Sequence, residues 1–449
     1  MCLPHNAKMP LENSAVTASE LEELRGLWPA MGKPERLAAF QALPRDVADD
    51  FFLSLDARNQ CELLLAIPEG ERRIWMRLLA PDDAADLVQL ASETQRPHLL
   101  ELLDAATRRE VAALLAYKED QAGGLMSPRF ARLRPDMTVD EAIGYLRRQA
   151  AQLETMYYAY AIDSDQRLLG VVSFRDLFSA DREKRVRDVM RRRYVAATAD
   201  MDQEAVARLF AEHHLLAIPV LDSEQRIQGI VTIDDIVGVV EREAGEDIQK
   251  IGGSEALDEP YLRIGFLKMV KKRGGWLAAL FLGEMLTATA MGFFEKEIAK
   301  AVVLALFIPL IISSGGNSGS QATTLVIRAM ALGEVGLPQW WRVIRRELAA
   351  GIALGTLLGA IGMTRILVWQ AVANPYGEHY MLVALTVACS LLGVVSFGTV
   401  AGSMLPFILR TVGVDPASAS APFVATLVDV TGLIIYFTIA SIIMRGTLL

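Results

Sequence analysis

From Trp276 onward the chain alternates long apolar runs with short polar loops. Five runs, at roughly 275–294, 301–327, 347–369, 381–408 and 422–444, each reach the about 20 residues that a spanning helix needs. Upstream of about residue 270 the pattern shortens and fills with Asp, Glu and Arg. Residues from about 14 to 122 read as short helices punctuated by Leu43-Pro44-Arg45-Asp46, Ile67-Pro68-Glu69 and Ala80-Pro81-Asp82-Asp83. Each proline suits a first helical turn, where no backbone N–H is needed, and the acids that follow complement the helix dipole. Apolar stripes at Leu99, Leu102, Leu103 and at Val111, Leu114, Leu115 are expected to form the core of this helical domain.

An internal repeat follows. Met137-Thr-Val-Asp-Glu-Ala-Ile143 recurs as Met201-Asp-Gln-Glu-Ala-Val206, and Ile162-Asp-Ser-Asp-Gln-Arg-Leu-Leu-Gly170 recurs as Leu221-Asp-Ser-Glu-Gln-Arg-Ile-Gln-Gly229. Each copy predicts a helix, an apolar strand, a polar turn, a second strand and a closing helix. The paired modules resemble tandem CBS domains, with Ser173-Phe-Arg-Asp176 and Thr232-Ile-Asp-Asp235 in the place of that family's Ser/Thr-x-x-Asp motif.

A charged connector then runs from Glu241, Glu243, Glu246 and Asp247 toward Lys268, Lys271, Lys272 and Arg273. Those four basic residues, Arg328, Arg342, Arg345, Arg346 and Arg410 all fall on one side of the five spans, which the positive-inside rule makes cytoplasmic. The other side holds Lys296, Lys300 and Arg445, while Arg365 can snorkel from the end of the third span. An odd number of spans places the N-terminal half inside and Leu449 outside. Met1 to Ser14 has no continuous apolar core, so no cleaved signal peptide is expected. Cys2, Cys61 and Cys389 are too scattered for a disulfide framework or a metal knuckle. The net charge of −9 argues against a nucleic-acid partner and leaves carboxylates free to meet cations.

Candidate chemistry centres on Asp429, the one acidic or basic residue between Pro422 and Met444. An aspartate at mid-membrane costs roughly 2.5 to 3.5 kcal/mol on insertion scales, so it ordinarily faces an ion or water path. The structural alternative is a carboxylate satisfied by a neighbouring helix or by Thr431. The second span is expected to be broken by Pro309-Leu-Ile-Ile-Ser-Ser-Gly-Gly-Asn-Ser-Gly-Ser-Gln321, which clusters small and amide side chains at membrane depth; close helix packing is the alternative. Magnesium keeps several waters and often uses only one or two carboxylates, which one pore aspartate per chain of a symmetric dimer would supply. Entry of a divalent ion gains roughly 4.6 kcal/mol per 100 mV, and the chain has no Gly-x-x-x-x-Gly-Lys-Ser/Thr loop to hydrolyse ATP. Such downhill entry needs a brake. Carboxylates at Asp49/Asp50, Asp82/Asp83/Asp86, Asp202/Glu204, Asp234/Asp235 and Glu243/Glu246/Asp247 could provide one if a divalent ion bridges facing domains; solvated helix faces are the alternative. Histidines occur at 5, 98, 213, 214 and 379, so no His-Glu-x-x-His zinc site exists and an enzyme is not expected. For Glu284 in the first span a buried helix–helix hydrogen bond is expected, with a second ion contact as the alternative.

Taken in order, Gly123-Gly-Leu-Met126, Gly315-Gly-Asn-Ser-Gly-Ser-Gln321 and Pro422-Phe-Val-Ala-Thr-Leu-Val-Asp429-Val-Thr-Gly432 make the whole chain resemble the MgtE family of magnesium channels. The resemblance implies a multidomain membrane protein: a helical cytosolic N domain (1–122), α/β tandem CBS domains (123–246), a connecting plug helix (247–272) and a five-helix transmembrane domain (273–449). It implies a homodimer in a bacterial inner membrane that takes up Mg2+ and is closed by cytosolic Mg2+. Asp429 and Ala425 match pore positions, with Asn317, Gly315 and Gly316 from the second span beside them. Asp50, Asp82, Asp86, Asp202, Glu204, Asp235, Glu243, Glu246, Asp247 and Asp415 match sensor carboxylates, and Tyr158, Arg175 and Asp176 match a regulatory ATP site. The chain departs from the pattern at Gly238 and His214, where relatives carry sensor aspartates, and at Ala421, where an asparagine can line the inner pore. A Mg2+ exchanger driven by sodium or protons is the rival with the same pore chemistry, and a CBS-regulated anion channel is a weaker one.

Overall fold

The computed structural model describes residues 18–257, 259–300, 302–445 and 447. The expectations for Met1 to Ser14 and Leu449 fall outside the described residues, as does Cys2. Two compact units emerge, divided between Glu243 and Ala244.

The first unit opens with α1 (Ala18–Leu27), α2 (Lys33–Gln41), α3 (Arg45–Leu53), α4 (Ala57–Ala66), α5 (Glu69–Met76), α6 (Pro81–Leu90), α7 (Arg96–Leu102) and α8 (Ala105–Leu114). Pro81 is the first residue of α6, as the sequence suggests, whereas Pro44 and Pro68 sit one position earlier as the N-caps of α3 and α5. The predicted stripe is in the core: Leu99, Leu102, Leu103, Val111 and Leu114 are buried. Trp28, Phe40, Phe51, Phe52 and Trp75 complete it with edge-on and tilted ring contacts.

The repeat follows through α9 (Ala122–Leu125), β1 (Ala131–Leu133), α10 (Val139–Gln149), β2 (Tyr158–Ile162), β3 (Leu168–Ser173), α11 (Phe174–Ser179) and α12 (Val186–Val189). Its second copy uses β4 (Ala197–Thr198), α13 (Gln203–His213), β5 (Ala217–Leu221), β6 (Ile227–Thr232) and α14 (Ile233–Ile251). The two sheets have the same order, a short parallel strand beside an antiparallel hairpin: β1-β2-β3 and β4-β5-β6. The duplication extends to individual hydrogen bonds. Asp163 Oδ1 accepts from the amides of Asp165 and Arg167, and Asp222 Oδ1 accepts from those of Glu224 and Arg226. Gln166 and Gln225 occupy the left-handed position of the matching turns. The turns also bond each other, the Leu168 amide to the Gln225 carbonyl and the Ile227 amide to the Gln166 carbonyl.

Gly123 and Gly124 join this module to the helical domain for a steric reason. A Cβ on Gly123 would lie 2.4 Å from the Tyr117 ring, and one on Gly124 would lie 2.3 Å from the Lys118 carbonyl.

The connecting helix is the last part of α14, which ends at Ile251; the described residues between Gly252 and Gly265 are non-helical, and residues 266–272 already belong to the next helix. The stretch 247–272 is therefore not one helix, because Gly252 and Gly253, the latter at φ +76°, close α14.

The second unit contains α15 (Phe266–Phe293), α16 (Glu295–Lys300), α17 (Val302–Ala305), α18 (Ile308–Ala331), α19 (Trp340–Ala373), α20 (Tyr380–Thr411) and α21 (Ala421–Ile443). Among the described residues, five helical stretches are long and apolar enough to cross a membrane: Phe266–Phe293, Val302–Ala331, Leu337–Ala373, Tyr380–Thr411 and Ala421–Ile443. All five predicted spans are thus present, most of them longer at their ends. Helix α20 is the centre of the bundle and packs on α18, α19 and α21, while α15 leans on α21. Gly351, Gly355 and Gly359 repeat every four residues on α19 and bring its backbone against Ser396, Leu392 and Ala388 of α20.

Candidate functional site

The second span is not broken where the sequence suggests. Pro309 lies in the first turn of α18, where its missing N–H costs no bond, and the helix continues to Ala331; the interruption is at Leu306-Phe307. The glycines have different roles within this helix. Gly315 is buried, and a Cβ there would lie 2.5 Å from Val394 and 2.8 Å from Val428. It is a packing position rather than a lining one. Gly319 is similar, against Val424 and the Gly398 carbonyl. Gly316 is buried as well, but a Cβ there would meet Ala425 of α21 at ordinary contact distance, 3.5 Å. Several hydroxyls of this span serve the bundle: Ser320 donates to the Ala421 carbonyl, and Thr323 reaches the Gly319 and Gly402 carbonyls. Asn317 is exposed.

Helix α21 starts at the Ser420 cap, whose Oγ accepts from the Phe423 amide at 3.3 Å. Val424, Val428 and Gly432 form its buried stripe. Ala425 and Asp429, one turn apart, share a different, half-buried stripe. Thr431 does not satisfy Asp429, because its hydroxyl donates back to the Leu427 carbonyl at 2.7 Å. Glu284 of α15 is exposed rather than buried and lies close enough to act electrostatically on Asp429. The adjacent Gly283 permits this approach, since a Cβ there would meet Thr426 at 2.9 Å. Two carboxylates at mid-span thus lie within electrostatic reach of each other.

A second acidic site lies in the first unit. The first turn of α6 presents Asp82 and Asp83 and its second turn Asp86, the first turn of α14 presents Asp234 and Asp235, and Glu154 joins from the segment after α10. Asp82 is buried, and its Oδ1 has no hydrogen-bond partner. Burial, then the charges of Glu154, Asp235 and Asp83, push its carboxyl well above the usual range. Burial and Glu119 raise Asp86 to about 7, against a partial counter-effect from Arg242. Asp235 also rises to about 7, mainly through burial, although the Thr232 hydroxyl donates to it at 2.6 Å. Such a cluster favours a proton or cation. The sequence expectation brought Asp82, Asp86 and Asp235 to one function, and the fold brings them to one place. Glu154 was missed, as nothing near it in sequence is acidic in pattern.

The sign of the pH effect follows. These carboxyls hold protons more tightly folded than unfolded, so their cost is fully present above about pH 7 and declines as pH falls toward the ordinary carboxylate range. Asp82→Asn should therefore raise the thermal midpoint of the first unit in EDTA at pH 8 by about 2 to 6 °C. It should also shrink the stabilisation by MgCl2; an unchanged Mg2+ response in differential scanning fluorimetry would remove Asp82 from the ion site.

The other expected sensor residues are dispersed. Asp50 is exposed on α3, Asp202 caps α13 by accepting from the Glu204 amide, and Glu204 is exposed in that first turn. Glu243 accepts from Gln203. In the second unit, Glu246 and Asp415 share Lys250, and Asp247 follows in α14. Among the described residues, no three His, Cys, Asp or Glu side chains converge to ligate a metal directly. Of the departures, Gly238 faces open space, His214 ends α13 at φ 51°, and Ala421 supplies the carbonyl that Ser320 bonds.

In the first CBS module, Tyr158 opens β2, the Asp176 amide bonds the Ser173 hydroxyl at 3.0 Å, and Arg175 is exposed beside it. Arg191, missed in the sequence, pairs with Asp176 at 3.0 Å.

Family models match in the same order as the fold: an MgtE intracellular N domain at 20–120, CBS domains at 122–183 and 186–242, and the MgtE divalent cation transporter domain at 308–439. A magnesium transporter MgtE from Thermus thermophilus is 39% identical over 95% of this chain and 93% of its own length. The chain belongs to the MgtE family of magnesium transporters. A Bacillus subtilis MgtE is 32% identical over 92% of this chain and 89% of its own length. The solved cytosolic domain of the Mg2+ channel MgtE in complex with ATP is 40% identical, covering 49% of this chain and 90% of that one at a TM-score of 0.46. Membership in the MgtE family makes this a multi-pass membrane protein and a transporter rather than an enzyme.

Proposed function

We propose that the chain is a homodimeric magnesium channel in a bacterial inner membrane, with the first unit cytoplasmic and the C-terminus outside. The observation that carries this reading is Asp429, half-buried at mid-span with no hydroxyl partner from Thr431 and with Glu284 nearby. A hydrated Mg2+ can be held by one carboxylate from each copy through its waters. The half-buried Ala425 and the exposed Asn317 provide the remaining surface, with Gly316 packed behind Ala425 so that the two helices approach closely. Inward flow needs no fuel, because the membrane potential itself contributes roughly 4.6 kcal/mol per 100 mV for a divalent ion.

Closure by cytosolic Mg2+ follows from the acidic site. Ionised Asp82, Asp86 and Asp235 repel across α6 and α14, and a divalent ion between them favours the compact arrangement. Asp50, Asp202, Glu204, Glu243, Glu246, Asp247 and Asp415 would contribute through other contacts. Flux into proteoliposomes, with Mg2+ varied on the side of the soluble unit, tests the whole reading. Flux should fall as that Mg2+ rises and proceed without a sodium or pH gradient; dependence on either gradient would establish the exchanger instead.

ATP is assigned to Tyr158, Arg175 and Asp176 as a regulator. Asp176→Ala should weaken ATP binding about tenfold, the worth of one charged hydrogen bond. Calorimetry on the full chain measures it, and unchanged affinity would remove the site.

A further inference from the structure

In the second unit, the last turn of α14 is fastened to the segment that leads into α21. Lys250 Nζ lies 2.8 Å from Asp415 Oδ2 and 3.2 Å from Glu246 Oε2, so one ammonium is shared by a carboxylate of its own helix and one 165 residues further along the chain. Asp415 is held in place by its own backbone, its Oδ1 accepting from the Ala417 amide at 2.9 Å. Beside the charge pair, Ile251 packs with Ile327, Ala417 and Ala419. Gly253 then sits against Pro422 and Trp276, and Trp276 Nε1 donates to Ser420, the residue that caps α21. Asp429 lies eight residues beyond Ala421, about 12 Å along the same helix. A displacement of the 415–422 segment therefore acts on the start of the helix that carries the pore carboxylate.

We propose that Lys250 is a tethered cation that biases this contact toward its closed form without a bound ion, so that a divalent cation must compete with an ammonium already in place. This rests on the channel reading above. The ammonium neutralises one of the two carboxylate charges and leaves one; a divalent ion can neutralise both. Lys250, Glu246 and Asp415 are all partly solvent-accessible, which leaves the ion pair open to exchange. Lys250 is thus a positioning residue that sets the Mg2+ concentration at which the contact responds.

Hydrogen–deuterium exchange on the full-length protein in nanodiscs reads the contact directly, independent of transport. In EDTA, peptides spanning 246–256 should be protected in the wild type and in Lys250→Arg. In Lys250→Gln they should exchange about tenfold faster, and MgCl2 but not NaCl of equal ionic strength should restore protection. Protection of Lys250→Gln in EDTA equal to wild type would overturn the proposal. Fast exchange that MgCl2 does not restore would also overturn it, reducing Lys250 to a packing residue. In proteoliposomes, Lys250→Gln should show higher flux at zero Mg2+ and closure at lower Mg2+ than wild type. An absence of flux in the wild type would instead refute the channel reading while leaving the exchange result standing.

Discussion

Asp429→Asn is expected to reduce Mg2+ flux by about 100-fold or more while the protein remains folded and membrane-inserted. Asparagine keeps the shape of the side chain and removes only its charge. Each charge-assisted hydrogen bond between a carboxylate and an ion-bound water is worth about 1.5 to 3 kcal/mol, or about ten- to a hundredfold in occupancy. The proposed homodimer would lose two such carboxylates at once. Folding should tolerate the change because Asp429 makes no hydrogen bond with Thr431 and stands off the buried Val424, Val428 and Gly432 stripe. The measurement is Mg2+ uptake in proteoliposomes alongside growth of a host that lacks magnesium uptake at low Mg2+. Wild-type flux by this variant would end the pore assignment, and flux lost together with the folded protein would show a structural role.

Gly402→Ala should be the most damaging single methyl group in the membrane unit. Alanine normally improves a helix over glycine by roughly 0.5 to 1 kcal/mol. At Gly402 the added Cβ would lie 2.3 Å from the Gly319 carbonyl oxygen and 2.7 Å from Thr323 Oγ1. Neither obstacle can yield cheaply. The first is α18 backbone, and the second is a hydroxyl that donates to the Gly402 carbonyl at 2.8 Å. Overpacking against flexible side chains costs about 1 to 3 kcal/mol, and a helix pair that must move apart costs at least that. The thermal midpoint in detergent should fall by at least about 5 °C, with loss of flux. Gly275→Ala on α15, where a Cβ meets nothing within 4 Å, is the matched control and should leave the midpoint unchanged or raise it.

Patterns of short range carried most of the architecture. Apolar length alone located the five spans, and repeated phrases such as Asp163-Ser-Asp-Gln166 and Asp222-Ser-Glu-Gln225 located the duplicated sheets. Helix ends were harder. Pro309 reads as a breaker in sequence but occupies a first turn in the fold, because whether proline interrupts a helix depends on the position of the preceding turn, here Leu306-Phe307. The roles of Gly315 and Gly316 were inseparable in sequence, since which glycine faces Val428 and which faces Ala425 is decided by the rotation of α18. Partners far apart in sequence were illegible: Glu154 beside Asp82, Arg191 beside Asp176, and Lys250 beside Asp415 carry no local signature of one another. Glu284 was misjudged for the same reason, its neighbour being 145 positions away on α21.

The paired turns of the duplicated module limit how this family member can evolve in length. Surface turns are ordinarily where chains accept insertions and deletions. Here the turn at Gln166 bonds the strand entered at Ile227, and the turn at Gln225 bonds the strand entered at Leu168. A residue gained or lost in one copy would shift the strand register of the other, so the two surface hairpins are bound to keep equal length, and tags or epitopes belong elsewhere on the molecule.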